Sequence, residues 1–238
     1  MKAVVLAAGR GRRLGPLTQT APKPMLPIGG RPLIGHVLDL LAKSGVEEAF
    51  INLHHHPDVL QNYCGDGAAW GIRITYAVEP ELLGTAGAVR NFARYLDGES
   101  FFVVYGDNYY LRVDLAPLWE FHHDRKGLAT LALFEKEDVT RSGVAKLSAD
   151  GRIQRFVEKP SPCTVSGGLV NGGLYVLSPS VFPLLPTDVP CDFGYHVFPR
   201  LVAAGAAIYG RVMEGAVWGI DTPALYRGLR REIGDEPA

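Results

Sequence analysis

The sequence predicts an α/β fold in which a mixed, mostly parallel sheet is flanked by helices and followed by a hairpin-rich portion. Three observations carry that expectation. Short apolar runs bounded by glycine, proline and charge recur at 3–8, 49–53, 72–78, 101–105 and 128–134. Helical patterns separate the first four, and after Arg125 the strands follow one another through tight turns. Near-continuous apolar strands alternating with helices are what a parallel sheet covered on both faces requires.

The run at 3–8 reads as a buried strand. It is not a signal segment, because Arg10, Arg12 and Arg13 stand where a small-residue cleavage site belongs. Residues 32–43 predict a helix, since Leu33, Ile34, Val37, Leu38, Leu40 and Leu41 recur at helical spacing and Gly45 follows as a C-cap glycine. Gly84 opens another helical pattern, and His122 and His123 fall on a further one. Ala149-Asp150-Gly151-Arg152, set between apolar runs at 144–147 and 153–157, predicts a hairpin. A strand is expected at 168–177, and helices at 195–204 and 223–232, the last capped by Thr222. No linker, repeat or low-complexity stretch breaks the chain, so one continuous domain over 1–238 is expected.

Of the 238 residues 47% are apolar, enough for a core that removes about 70% of the unfolded surface from water. Lys and Arg number 24 against 25 Asp and Glu, a net charge of −1. That balance provides no global field for nucleic acid or an anionic membrane, so an anionic ligand needs a local cluster of cations. No apolar run approaches the ~20 residues of a membrane-spanning helix. Cys64, Cys163 and Cys191 are scattered and never paired as C-x-x-C. Neither a disulfide framework nor a zinc site follows, and a reducing cytoplasm is expected. Self-association stays open.

After the first strand comes Gly9-Arg10-Gly11-Arg12-Arg13-Leu14-Gly15, with Arg10, Arg12, Arg13, Lys23 and Arg31 as five cations and no acid from Gly9 to Arg31. The glycine spacing misses the dinucleotide fingerprint, Pro16 blocks an ordinary helix start, and a P-loop would need Gly-Lys-Ser/Thr. A cationic glycine loop at the carboxyl end of a parallel strand suits a polyphosphate. Phe101–Tyr105 runs straight into Gly106-Asp107-Asn108, and Asp221 follows Val217-Trp218-Gly219-Ile220 ahead of a helix. Two aspartates at strand ends suit Mg²⁺, which takes one or two protein carboxylates and completes its shell with water and phosphates. Gly84-Thr85-Ala86-Gly87 has helix-start N–H groups that could hold a base or sugar closely. Glu158-Lys159-Pro160 pairs an acid suited to a sugar hydroxyl with a base suited to a phosphate. Asn171-Gly172-Gly173 offers a second hydroxyl clamp or a bulge. His54-His55-His56 cannot converge on one metal ion in an extended segment, so loop or surface roles are expected.

Taken in order, Leu6-Ala7-Ala8-Gly9-x-Gly11-x-Arg13-Leu14, Pro22-Lys23-Pro24-Met25, Gly84-Thr85-Ala86-Gly87, Gly106-Asp107, Glu158-Lys159-Pro160, Asn171-x-Gly173 and Trp218-x-x-Asp221-Thr222 resemble the sugar-1-phosphate nucleotidyltransferases, or nucleotide-sugar pyrophosphorylases. The pattern is closest to the mannose- or heptose-1-phosphate guanylyltransferases. The resemblance implies a Rossmann-like, GT-A-like nucleotidyltransferase domain, nucleotide-binding to about residue 125 and sugar-phosphate-binding from about 126. It implies an NTP and a sugar-1-phosphate as substrates, with Mg²⁺. It places Ala7, Ala8, Gly9, Gly11, Arg12, Glu79, Gly84 and Thr85 at the nucleotide, and Arg13, Lys23 and Asp107 at the reacting phosphates. Gly106, Glu158, Lys159, Asn171 and Gly172 fall at the sugar phosphate, and Asp107 and Asp221 at the metal. The family often has Thr where this chain has Arg12, which leaves open whether Arg12 or Arg13 reaches the triphosphate. Nothing after Glu232 resembles the left-handed β-helix of longer relatives.

Glu79 stands where thymidylyltransferases of the family tend to carry a glutamine. A carboxylate only accepts hydrogen bonds, and guanine offers two adjacent donors where uracil or thymine offers one. GTP is therefore favoured, with uridylyl or thymidylyl transfer as the alternative. A metal-dependent glycosyltransferase usually shows D-x-D, which Gly106-Asp107-Asn108 is not. A nucleotide-sugar sensor would not need the charge set of Lys23, Asp107 and Asp221.

Overall fold

The computed structural model describes residues 1–161 and 167–235, so Cys163 lies outside the described residues. In chain order it comprises β1 (Lys2–Leu6), β2 (Pro27–Ile28), β3 (Arg31–Pro32), α1 (Leu33–Lys43), β4 (Glu48–Leu53), α2 (Pro57–Cys64), β5 (Arg73–Val78), α3 (Gly84–Asn91), β6 (Phe101–Tyr105) and β7 (Asn108–Leu111). Then come α4 (Ala116–Arg125), β8 (Ala129–Lys136), β9 (Gly143–Leu147), β10 (Ile153–Glu158), β11 (Gly168–Leu177), α5 (Phe198–Ala203), β12 (Ile208–Val212), β13 (Ala216–Gly219) and α6 (Pro223–Glu232). The chain divides into two compact units that are not consecutive segments. One is Met1–Leu82 with Val104–Arg112 and Gly215–Ala238, and the other is Leu83–Val103 with Val113–Glu214.

In the first unit β4 pairs in parallel with β1 on one side and β5 on the other, in the order β1-β4-β5. Ala3, Val4 and Val5 are fully buried, as a strand covered on both faces must be. Parallel pairing sends all the carboxyl ends to one edge, where ligands of open α/β sheets bind. α1 ends as its sequence predicts. Gly45 takes φ +77°, the Gly45 N–H donates to the Ala42 carbonyl and the Val46 N–H to that of Leu41, which closes the last turn. α6 begins with the Thr222 hydroxyl accepting from the Leu225 N–H at 3.3 Å. β13 pairs antiparallel with β7, with Gly219 opposite Asn108. That register is decisive for the site, because Asp107 and Asp221 lie just outside the paired end.

In the second unit β9 and β10 form the expected antiparallel hairpin, with Gly151 at φ +85° in the turn and Ser148 N–H donating to Arg152 O. β11 pairs antiparallel with β8, and β8 pairs in parallel with β12. The helix expected at 195–204 is a correction. Phe193–Val197 forms a π-helical turn, and the α-helix starts only at Phe198. Pro199 contributes to this break, since it has no N–H to continue a hydrogen-bond ladder begun upstream.

His122 on α4 is 2% exposed, and its ring lies among three hydroxyls: Thr130 Oγ1 at 2.9 Å from Nδ1, and Ser178 Oγ at 3.1 Å and Ser100 Oγ at 3.3 Å from Nε2. Burial, with the nearby His123 adding to it, pushes its pKa from 6.5 down to about 4. The unfolded chain therefore binds this proton before the native chain does. Stability is complete above about pH 6.5 and falls as the pH drops towards about 4, by up to about 3 kcal/mol. Melting curves between pH 7 and 4 should show a shallower acid limb for His122→Gln than for the wild type. Equal slopes would exclude His122 as the source.

Candidate active site

The loop after β1 belongs to the first unit and is built by local sterics. Gly11 takes φ +60°, and a Cβ there would sit 3.0 Å from Thr18 Cγ2 and 3.3 Å from Lys23 Cβ, so only glycine allows the loop to close on itself. Arg12–Thr18 winds as a 3-10 turn broken at Gly15, with the Leu14 N–H and the Thr18 hydroxyl both donating to the Gly11 carbonyl. Leu14 anchors the turn by burying fully with Leu26, Ile28, Leu33, Ile220, Tyr226 and Leu229. With the apolar residue inward, Arg12 and Arg13 are left exposed. An open cleft of about 640 Å³ lies here, lined by Arg10, Gly11, Arg12, Pro80, Glu81 and Leu82. Arg12 thus lines the cleft, while Arg13 pairs with Asp221 at 3.2 Å. Arg31 is turned away to Asp39.

Lys23 is buried between two carboxylates. Only 3% exposed, its ammonium lies 2.7 Å from Asp107 Oδ2 and 2.9 Å from Asp221 Oδ1. Burial alone would lower its pKa, but the two carboxylates outweigh burial and raise it above 10.5. Lys23 is therefore a fixed positive charge at every pH at which a protein of this kind operates. Gly106, just before Asp107, donates its N–H to Leu6 O at 2.9 Å. A Cβ on Gly106 would come within 3.2 Å of that oxygen, so glycine lets the aspartate strand lie against β1. The residues fit Mg²⁺. Two hard carboxylates converge on one cationic group, so the position already favours a positive charge, and one or two carboxylates are what this ion usually takes from a protein. Among the described residues no three His, Cys, Asp or Glu side chains converge on a metal position, so phosphates and water would have to supply the remaining oxygens.

Glu79 follows β5 and is 3% exposed. Asn52 Nδ2 donates to Glu79 Oε1 at 2.8 Å, and Asn52 Oδ1 accepts from the Ala7 N–H at 2.8 Å. Asn52 thus ties the ends of three parallel strands together. It did not figure among the expected site residues, although a lone amide in the apolar run Phe50-Ile51-Asn52-Leu53 is the signal that marks it. Ala7 and Ala8 are buried at the end of β1, and a Cβ at Gly9 would meet open space.

In the second unit Gly84 takes φ +75°, and a Cβ there would lie 2.5 Å from Cys191 O. Three of the N–H groups expected to be free at this helix start are already used. Thr85 N–H donates to Asp192 Oδ1, and the Ala86 and Gly87 N–H groups donate to Cys191 O. The Thr85 hydroxyl donates to the same Asp192 oxygen and accepts from the Phe193 N–H. The motif thus holds the 191–193 segment in place. Glu158 lies against Gly143 and Gly194, where a Cβ would come within 2.6 and 2.3 Å of its Oε2. Burial raises its pKa, Lys159 opposes that, and Asp192 adds to it. Lys159 takes φ +47° and lies 5.0 Å over the Tyr195 ring. The Asn171 amide donates to Tyr175 OH and its oxygen accepts from Gly173 N–H, at a register shift in β11. Gly172 is there because a Cβ would lie 2.4 Å from the Phe134 ring.

Parallel strand ends, a cationic glycine loop and paired aspartates around a buried lysine thus occur together in the first unit of an α/β protein. The nucleotidyl transferase family model matches residues 2–222, and the chain belongs to that family. Mannose-1-phosphate guanylyltransferase of Mycobacterium tuberculosis is 36% identical over 242 residues, covering 99% of this chain and 66% of its own. UTP–glucose-1-phosphate uridylyltransferase of Synechocystis is 32% identical over 228 residues, covering 90% of this chain and 58% of its own. The chain thus spans about two thirds of the first relative and less of the second. HddC from Yersinia pseudotuberculosis superposes with a TM-score of 0.82 at 25% identity, over 98% of this chain and 99% of that one, and has also been solved complexed with GMP-PN. Among the described residues no helix is long and apolar enough to cross a membrane.

Proposed function

We propose that the chain transfers a nucleotidyl group from an NTP to a sugar-1-phosphate, releasing pyrophosphate. The observation that carries this is Lys23 held at 2.7 and 2.9 Å by Asp107 and Asp221 beside the cleft of the cationic loop. The attacking sugar phosphate is already an anion, so the site needs no general base, and a lysine whose pKa is raised cannot serve as one. Catalysis is then positioning and charge neutralisation. Gly9, Gly11, Arg12 and Arg13 take the triphosphate, and Lys23 the reacting phosphates. Gly106, Glu158, Asn171 and Gly172 take the sugar, and Lys159 its phosphate. Gly84 and Thr85 serve the nucleotide through the segment they hold. Asp107 and Asp221 would hold Mg²⁺, which as a bound Lewis acid spreads the charge that develops on the phosphates. Two buried free cysteines, Cys64 and Cys191, support a reducing, cytoplasmic setting.

GTP with mannose-1-phosphate or a heptose-1-phosphate is the favoured pair. The M. tuberculosis relative is named a guanylyltransferase and HddC was solved with GMP-PN, while the Synechocystis relative is named for UTP. Pyrophosphate release, assayed with Mg²⁺ across a grid of NTPs and sugar-1-phosphates, tests the reaction. No release with any pair despite ligand binding would leave a binding protein. Glu79 is proposed to read the base, with Asn52 orienting its carboxylate. Glu79→Gln should narrow the preference for GTP over UTP or dTTP by about tenfold or more, the worth of a hydrogen bond to a charged acceptor. An unchanged ratio would assign the reading to other groups.

A further inference from the structure

Three consecutive histidines follow β4, and the proposed reaction uses none of them. His55 Nε2 lies 2.9 Å from Thr18 O and His56 Nε2 2.8 Å from Gln19 O, so both rings pin the far end of the cationic loop. His54 differs in kind. Its Nε2 lies 2.9 Å from Arg10 Nε, and its Nδ1 lies 2.8 Å from the Glu79 carbonyl oxygen. An arginine Nε–H can only donate and a carbonyl can only accept, so in these contacts Nε2 is the acceptor and Nδ1 carries the ring hydrogen. One ring therefore joins the two walls of the cleft: Arg10 from the loop after β1, and the Glu79 backbone from the segment that continues as Pro80, Glu81 and Leu82. Asn52 lies near the end of β4 and His54 is the first residue after it. Asn52 holds the Glu79 carboxylate and His54 its carbonyl.

We propose that His54 is a positioning residue for the nucleotide. By taking the Nε–H of Arg10 it fixes the guanidinium plane, so the two terminal amino groups of Arg10 are presented to the cleft before a triphosphate arrives. It does so from the same backbone that carries Glu79, so the phosphate wall and the base-reading wall keep one register. Ordering a long arginine side chain in advance removes part of the entropy cost of binding an anion. The inference rests on the cleft being the triphosphate site.

The test measures Kd for GTP, UTP and dTTP by calorimetry, together with kcat and KM, for wild type, His54→Phe, His54→Gln and Arg10→Ala. His54→Phe should weaken binding and raise KM for the nucleotide by about tenfold, the worth of one charge-assisted hydrogen bond. Its kcat should change far less, and KM for the sugar phosphate should not move. His54→Gln keeps an acceptor at the Nε2 position and should recover most of the loss. Arg10→Ala combined with His54→Phe should be no weaker than Arg10→Ala alone, because the two act as a unit. If the wild type binds no triphosphate, the cleft assignment and this inference fall together. If the wild type binds one and His54→Phe binds it equally well, or if the double variant is additive, only the role of His54 is overturned. Should His54→Phe not fold, His54→Gln and Arg10→Ala decide it: Arg10→Ala must lose nucleotide affinity and His54→Gln must largely keep it.

Discussion

Asp221→Ala and Asp107→Ala should each abolish turnover, by about a thousandfold or more, while the protein stays folded. Both carboxylates meet the same ammonium, at 2.9 and 2.7 Å, so neither can replace the other as the second arm of a cation clamp. Each variant should lose some stability as well, because the Lys23 side chain is 4% exposed and keeps only one of its two carboxylates, but the remaining one still compensates the buried ammonium. Asp221→Ala should be the more damaging of the two, since it also frees Arg13, paired to the same oxygen at 3.2 Å. Pyrophosphate release, a melting curve and a Mg²⁺ titration on each variant check this. A variant that folds and turns over at the wild-type rate would reject that aspartate as a metal ligand.

The motifs put Asp107 and Asp221 at one metal, but the local sequence does not show how the fold brings them together. Asp107 and Asp221 were visible as acids at strand ends, because Phe101–Tyr105 and Val217–Ile220 are apolar runs that stop at them. What brings them together is the antiparallel register of β7 on β13, Gly219 opposite Asn108. Such non-local pairing leaves no local signature, and Tyr109 and Tyr110 after an aspartate look like the middle of a loop. The burial of Lys23 was hidden for the same reason: a lysine between two prolines reads as exposed until its partners are placed. Where local chemistry decides the outcome, the sequence was sufficient. The Gly45 cap, the Thr222 cap and the hairpin at Gly151 each depend on a few adjacent residues. The Gly84 motif shows the opposite case, since its N–H groups looked free only while Cys191 and Asp192, far along the chain, were unplaced.

Lys23→Met should have two effects of opposite sign. Turnover should fall by about a hundred- to a thousandfold, the usual cost of removing one preorganised charge from a site where charge develops. Affinity for Mg²⁺ without nucleotide should rise, because in the wild type the ammonium already occupies the point on which both carboxylates converge. The electrostatics require this competition. The carboxylates hold the lysine pKa above 10.5 against the pull of burial, and the linkage has the matching sign: that stabilisation is complete below pH 10.5 and is lost only as the pH rises past the native value. At neutral pH the ammonium is therefore never neutralised, and a divalent ion entering without phosphates must displace it. An incoming triphosphate changes the balance by giving Lys23 a new anion, so wild-type protein should take up Mg²⁺ strongly only together with nucleotide. Calorimetric titration of Mg²⁺ into wild type and Lys23→Met, each with and without GTP, separates the cases. Equal metal affinity in the two nucleotide-free proteins would show that Lys23 does not guard the aspartates, and undiminished turnover would remove it from the chemistry.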